Sequence, residues 1–378
     1  ESPGIYFKTR TGDWARCICI IKNIAVPNKF EYTPLPPLSK GDLLEGGKYE
    51  IISDTENAGG FGRIYRARVR QTSATNRMKV VAVKEFHVHE IDDATMSRLS
   101  SQGFSVSSKE KCVDMLLGQF KIEAQVMYEL SRLRDCHIPQ IYHRSREDNG
   151  RIYYTMSWVD GISLTDIVKQ KGAMNERTAI GYIVQIAKVL HKAHTWNLIH
   201  SDVSPNNIML DHGFAVLVDF GNARGYNNLL LQNYSKEEMD YVTDGYGKSL
   251  SNMSHFAEIY NEMIHEMIHE RIGTPGFMPP EGFAGRQQSD IYSLAATLFF
   301  MLTGQNPPLY FLHNSQQKVR KTLAESCVSE TTANAIMHAM QSQLNLCTKS
   351  ARDFLMELPQ DIVFDTLLNY NDHDYNRR

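Results

Sequence analysis

From Tyr49 onward, apolar and polar positions alternate in short bursts separated by turn residues. Tyr49-Glu50-Ile51-Ile52 predicts a strand, and Arg63 to Val69 repeats with period two, as a half-buried strand does. Val80-Val81-Ala82-Val83-Lys84 predicts a third strand, and Arg151 to Val159 another. Between them, Met115 to Leu133 places apolar residues at helical spacing. Beyond Leu164 the pattern is mostly helical, with an apolar run, Leu294 to Leu302, that suits a buried helix. Strands first and helices after predict an α+β chain of two lobes, a small β-rich N-lobe and a larger helical C-lobe.

The rest of the chain divides around that pattern. Trp14 to Val26 is apolar enough for a strand or two. Pro34-Leu35-Pro36-Pro37 interrupts regular structure, so Phe30 to Gly47 reads as a linker. The expected boundaries are an extension and linker over 1–46, the N-lobe over 47–159, the C-lobe over 160–365 and a polar tail over 366–378. His87 to Lys111, polar and Ser-rich, reads as an inserted loop.

Composition narrows the function classes. The 378 residues are 42% hydrophobic, enough for a core, and 40 Lys and Arg stand against 43 Asp and Glu, a net charge of −3. A nucleic-acid binder usually carries a basic excess, so none is expected as a partner. No apolar run reaches the ~18 residues of a membrane span, and the mean hydropathy is −0.36. Six scattered cysteines, with Cys17 and Cys19 read as small hydrophobes on one strand face, suit a reducing compartment. No basic-then-apolar leader is recognised. The expected localisation is cytoplasmic.

Four pieces carry chemistry. Gly59 and Gly62 flank Phe61 between two expected strands, where glycine lets backbone N–H groups approach phosphate oxygens; alone, such a turn is commonly just a hairpin. Lys84 ends an apolar strand and suits a cleft charge or a solvated end. Glu123 lies on the helix, able to pair with Lys84 or to face solvent. The fourth piece is decisive. Ile199-His200-Ser201-Asp202-Val203-Ser204-Pro205-Asn206-Asn207-Ile208 precedes Val218-Asp219-Phe220-Gly221. Two acids and an amide in that order provide what phosphoryl transfer needs: a carboxylate to accept a hydroxyl proton, and hard oxygen ligands for a divalent metal.

In these motifs the chain resembles the protein kinase superfamily, of the bacterial eukaryotic-like Ser/Thr type, from about Tyr49 to Asp290 and more weakly to Leu358. The resemblance implies ATP and Mg²⁺ as cofactors and a protein substrate with a Ser or Thr acceptor. It implies that Gly59 and Gly62 cover the phosphates, that Lys84 contacts them and pairs with Glu123, and that Asp202 is the catalytic base. Asn207 and Asp219 would bind the metal. Ile64, Ala82 and Met209 would sandwich the adenine, with Met156 as gatekeeper and Ser157-Trp158-Val159 as hinge. Gly273-Thr274-Pro275-Gly276 to Glu281 is similar to the end of an activation segment, and Asp290 to the aspartate that braces the catalytic loop.

The chain also departs from the pattern. Asn57 replaces the first loop glycine, Ser201 the arginine that receives an activation-loop phosphate, and Ser204 a lysine of the catalytic loop. The usual Arg partner of Glu281 is missing, with Arg352 a nearby substitute. Asp219 to Glu281 is about twice the family's usual span. Its extra stretch, about 226–270, is hypothesised to fold over the cleft or to mediate self-association. Within it, His265-Glu266-Met267-Ile268-His269 matches H-E-x-x-H, a zinc peptidase pattern. The plainer reading is an amphipathic helix packed through Met263, Ile264, Met267 and Ile268. Ser204 also keeps open a nucleotide-binding regulatory module that transfers nothing. The expectation is an active Ser/Thr protein kinase, autophosphorylation included.

Overall fold

The structure, a computed structural model, describes residues 6–8, 14–16, 34–53, 57–59, 62–70, 79–88, 109–133, 136–223, 274–280, 283, 285–308 and 313–369. Cys17, Cys19, Phe61, the stretch 226–270 with its His265-Glu266-His269 motif, Glu281 and the tail from 370 lie outside the described residues. The chain forms two compact units, Glu1–Thr33 and Pro34–Arg378. In the first, β1 (Tyr6–Lys8) pairs antiparallel with β2 (Trp14–Arg16).

The second unit opens with an antiparallel sheet. Its strands are β3 (Leu43–Leu44), β4 (Tyr49–Ile51), β5 (Asn57–Gly59), β6 (Gly62–Val69), β7 (Val80–Phe86), β8 (Ile141–Asp148) and β9 (Arg151–Ser157). The order is β3-β4-β6-β7-β9-β8, with β5 paired to β6. One face buries Tyr65 and Ala67 of β6, Val81 and Val83 of β7 and Tyr153 of β9. Those positions alternate with cleft-side residues because successive strand side chains point to opposite faces. The ends of the sheet meet: the Tyr49 hydroxyl lies 2.8 Å from His143 Nδ1, and the Glu45 N–H donates to Asp148 Oδ2 at 2.7 Å. The sheet is therefore curled.

Much of the expected linker belongs to this lobe. Leu38 and Leu44 are buried in the sheet's core. The carbonyls of Leu35 and Pro36 accept from Arg63 and Arg151, at 2.9 and 2.8 Å. A Pro-rich strap satisfies its carbonyls with side chains where it has no ladder partner.

Helix α1 (Lys109–Ser131) packs beside β8. The chain then crosses through β10 (Ile162–Ser163) into α2 (Leu164–Lys171) and α3 (Glu176–Thr195), and returns through the hairpin β11 (Ile208–Asp211) and β12 (Phe214–Leu217). Ser163 caps α2 and Asn175 caps α3, each through its side-chain oxygen. Helix α4 (Gln287–Thr303) is buried on every side from Ser289 to Leu302, as its apolar run predicts, and ends at the left-handed Gly304. Around it lie α5 (His313–Glu325), α6 (Glu330–Ala339), α7 (Ala351–Glu357) and α8 (Gln360–Asn369). Among the described residues, no helix is long and apolar enough to cross a membrane.

Candidate active site

The N-lobe half of the site follows from strand register. Gly59 and Gly62 are paired across β5 and β6. A Cβ on Gly62 would stand 3.2 Å from the Glu85 carbonyl and 3.3 Å from Lys84 Cε, so the bare glycine lets the start of β6 lie against Lys84. Ile64 is opposite Lys84, and Lys84 in turn opposite Tyr154. Ala82 lies between Arg66 and Met156.

The Lys84 Nζ donates to Glu123 Oε1 at 2.6 Å and to Asp219 Oδ1 at 3.1 Å. Glu123, only 3% exposed, is therefore no solvated helix residue. Burial alone would lower the Lys84 pKa, but the Asp219 and Glu123 carboxylates hold it well above the ordinary lysine range. Burial raises Glu123, with Lys84 opposing. The ammonium of Lys84 pulls Asp219 down to about 2, so this carboxylate is ionised at neutral pH.

The C-lobe half is a loop hung from a buried carboxylate. Asp290, at the start of α4 and fully buried, accepts from the backbone N–H groups of His200 and Ser201 and pairs with His194 Nε2, each at 2.9 Å. Ser201 has a left-handed φ of 67° and Asp219 one of 64°. Non-glycine residues reach that region at a cost, which surrounding bonds must overcome. His200 packs edge-on against Phe220, with ring centres 4.6 Å apart.

Asp202 sits among donors. Thr274 gives it a backbone N–H at 2.9 Å and a hydroxyl at 2.8 Å, both to Oδ1. On Oδ2, the Asn207 amide donates at 3.0 Å and the Asn222 amide at 3.4 Å. Burial raises the Asp202 pKa, and the Thr274 bonds counter part of that. Asn207 also donates to the Asp202 carbonyl at 2.9 Å. With its Nδ2 so occupied, its Oδ1 remains an acceptor, and with the ionised Asp219 it offers the hard oxygens that suit a small divalent cation. Ser204, completely buried, has its hydroxyl 3.2 Å from that of Thr274.

The expected adenine residues come from both lobes. Ile64 and Ala82 lie on β6 and β7, and Met209 lies on β11 opposite Ser163. Val159 is buried, and the Ser157 N–H donates to the Gln140 carbonyl at 2.8 Å. The structure thus joins Lys84 with Glu123 and Asp219, and Asp202 with Asn207. Sequence reasoning placed Thr274 at the end of the activation segment, without a contact to Asp202, and gave Asn222 and Gly161 no part. Gly161 follows the hinge, and a Cβ there would stand 2.0 Å from the Leu210 carbonyl.

Comparison with known proteins shows the family. The family model for the protein kinase domain matches residues 58–361. Serine/threonine-protein kinase PknA of Nostoc sp. is 28% identical over 270 residues, covering 70% of this chain and 39% of that protein. Serine/threonine-protein kinase C of Synechocystis sp. is 26% identical over 302 residues, covering 79% and 47%. PknD of Mycobacterium tuberculosis is 28% identical over 265 residues, covering 69% and 30%. The chain thus spans less than half the length of each of these relatives. Among solved structures, Rad53 1–466 in complex with AMP-PNP is similar in fold, with TM-score 0.50 and 18% identity over 82% of this chain and 64% of that one.

Proposed function

The chain belongs to the protein kinase domain family, and on that basis we propose that it transfers the γ-phosphoryl group of ATP to Ser or Thr hydroxyls of protein acceptors. The observation that carries this reading is the convergence of Lys84, Glu123 and Asp219 beside an Asp202 held by Asn207 and Thr274.

In this reading Gly59 and Gly62 cover the nucleotide's phosphates, Lys84 meets their charge, and Glu123 fixes Lys84. The acceptor hydroxyl loses its proton to Asp202 as its oxygen bonds to the γ-phosphorus, and the bond to the β-γ bridging oxygen breaks. Burial makes Asp202 a better proton acceptor than an exposed aspartate. The Thr274 and Asn207 bonds aim its carboxylate, so catalysis is mostly positioning and charge stabilisation. Asn207 and Asp219 would hold Mg²⁺, which supplies charge neutralisation on the phosphates. Ile64, Ala82 and Met209 enclose the adenine, and the backbone of Ser157 and Val159 meets its edge. Thr274 touches both the base and Ser204, where the family carries lysine, and favours a Ser/Thr acceptor.

The test is transfer of labelled γ-phosphate to a generic Ser/Thr protein, comparing the parent with Asp202→Ala. Label on the acceptor, lost in the variant, is expected. ATP binding without transfer by the parent would refute the proposal in favour of a nucleotide-binding regulatory module.

A further inference from the structure

The face of the N-lobe sheet that turns away from Lys84 carries a buried polar network. Arg63 and Glu85 are paired across β6 and β7, as are Tyr65 and Val83, so these side chains share one face. Arg63, Tyr65, Glu85 and His87 are all buried. Glu85 pairs with Arg151 through one carboxylate oxygen and accepts from the Tyr65 hydroxyl at 2.9 Å through the other. Burial, above all, raises the Tyr65 pKa, so its hydroxyl keeps the proton it donates to Glu85. Arg63 donates to His87 Nε2 at 2.9 Å.

Within the sheet alone this network is incomplete. One carboxylate stands against two guanidinium groups, and the Tyr65 oxygen can still accept a hydrogen bond. The strap over residues 34–38 supplies what is missing. The Leu35 carbonyl accepts from Arg63 at 2.9 Å and the Pro36 carbonyl from Arg151 at 2.8 Å. The Leu38 N–H donates to the Tyr65 oxygen at 3.2 Å, and the Leu38 side chain is buried in the same cluster as Tyr65. Buried polar groups are costly when any partner is absent, so the network closes only with the strap seated.

The same strands carry the candidate site on their other face. Arg63 stands between Gly62 and Ile64, and Glu85 follows Lys84. Glu85 joins the two faces. Its carboxylate belongs to the network, and its carbonyl is the atom that a Cβ on Gly62 would meet at 3.2 Å. Gly62 and Lys84 are thus presented by strands whose opposite side is bonded to residues 34–38.

We propose that the strap is a positioning element for nucleotide binding, and that Tyr65 is the positioning residue tying it to β6 and β7. Seating the strap fixes the strands that present Gly62 to the phosphates and Lys84 to their charge. Hydrogen-bonded groups on rigid strands carry such coupling, and it is reciprocal: a strap that favours the nucleotide is itself favoured by it. This inference rests on the proposed function, since it concerns the residues that would meet ATP.

The test compares the full chain with its Tyr65→Phe and Leu38→Ala variants, well below their melting temperatures. Tyr65→Phe removes the hydroxyl between strap and sheet, and Leu38→Ala alters the strap alone. Calorimetric titration is expected to give a Kd for MgATP roughly fivefold or more weaker in each variant, the low end of coupling between sites. The kcat/KM for ATP falls with it, and the KM for the acceptor stays unchanged. In the parent, saturating MgATP slows proteolysis near residues 34–38. A strap that serves folding alone lowers the melting temperature and nothing more. An unchanged Kd in either variant, or cleavage that MgATP does not slow, therefore overturns the proposal. Transfer of labelled phosphate separates this from the kinase reading. A parent that binds MgATP without transfer refutes that reading, and the Kd and the protection then decide the strap by the same criteria.

Discussion

Replacing Glu85 by alanine should destabilise the N-lobe more than any surface change. Glu85 neighbours Lys84 on β7, faces the opposite side of the sheet and is 3% exposed. Its carboxylate pairs with Arg151, accepts from the Tyr65 hydroxyl at 2.9 Å and lies 3.9 Å from Arg63. The two arginine side chains are only 10% and 12% exposed. They carry the load one step further, donating to the Leu35 and Pro36 carbonyls, while the Leu38 N–H donates to the Tyr65 oxygen at 3.2 Å. Removing the carboxylate leaves two nearly buried guanidinium groups without their anion. Breaking a buried ion pair from one side costs about 3–5 kcal/mol. At ~2–4 °C per kcal/mol for a unit of about 150–250 residues, the melting temperature should fall by roughly 6–20 °C. Differential scanning fluorimetry measures that. Limited proteolysis measures the second consequence, faster cleavage near residues 34–38 as the strap comes loose. Glu85→Gln, which keeps an acceptor and the shape, should fall between. A fall of less than about 2 °C in Glu85→Ala, with unchanged proteolysis, would show that the network does not hold the strap.

Two further outcomes are expected. Gly161→Ala forces a Cβ against the Leu210 carbonyl, where β10 meets β11; backbone cannot give as a side chain does. It should cost at least the ~1–3 kcal/mol typical of overpacking and weaken nucleotide binding beside Met209, and urea midpoints together with MgATP affinity check it. His143 has its pKa lowered, first by burial and then by Lys48 and Arg146, from the ordinary 6.5. The folded state therefore binds its proton less readily than the unfolded chain. Its contribution is present above pH 6.5 and lost as pH falls through the lower folded value. His143→Gln should flatten the fall of melting temperature on that acid side, and an unchanged slope would contradict the assignment.

The sequence made some of this legible and hid the rest for identifiable reasons. Asp202, Asn207, Asp219 and Lys84 were readable because transfer chemistry demands those residue types within short windows. Glu123 was readable as a residue but not as a buried one, since its helix position alone fits a solvated face equally well. Strand β8 gave no period-two signal: Ile141 to Asp148 is rich in charge, and register shifts between Ile141 and His143 and between His143 and Arg146 break the alternation. The Pro-rich strap read as linker because its partners, Arg63 and Arg151, lie far along the chain. Gly161 carries no signal of its own in the sequence, and only the fold brings the Leu210 carbonyl against it. Apart from β8, each miss is a long-range contact, whereas local windows report only local chemistry.

The same contrast bears on how the two lobes must cooperate. Lys84 comes from the N-lobe sheet and Asp219 from the loop after β12, and their 3.1 Å contact spans the cleft. Two carboxylates, Glu123 and Asp219, bond this single ammonium, and the charge of Asp219 adds a last, small part to the raised Asp202 pKa, after burial. ATP phosphates entering such a cleft add negative charge to an existing excess. Lys84 cannot neutralise both the acids that fix it and the nucleotide. In the proposed reaction Asp219 would hold a divalent cation, which would supply the missing positive charge, while Glu123 keeps Lys84 in place. The two bonds of Lys84 therefore have different fates in the proposed reaction. The one to Asp219 is the longer and its carboxylate is half-exposed, so it is the one to give way, whereas the shorter one to the buried Glu123 stays.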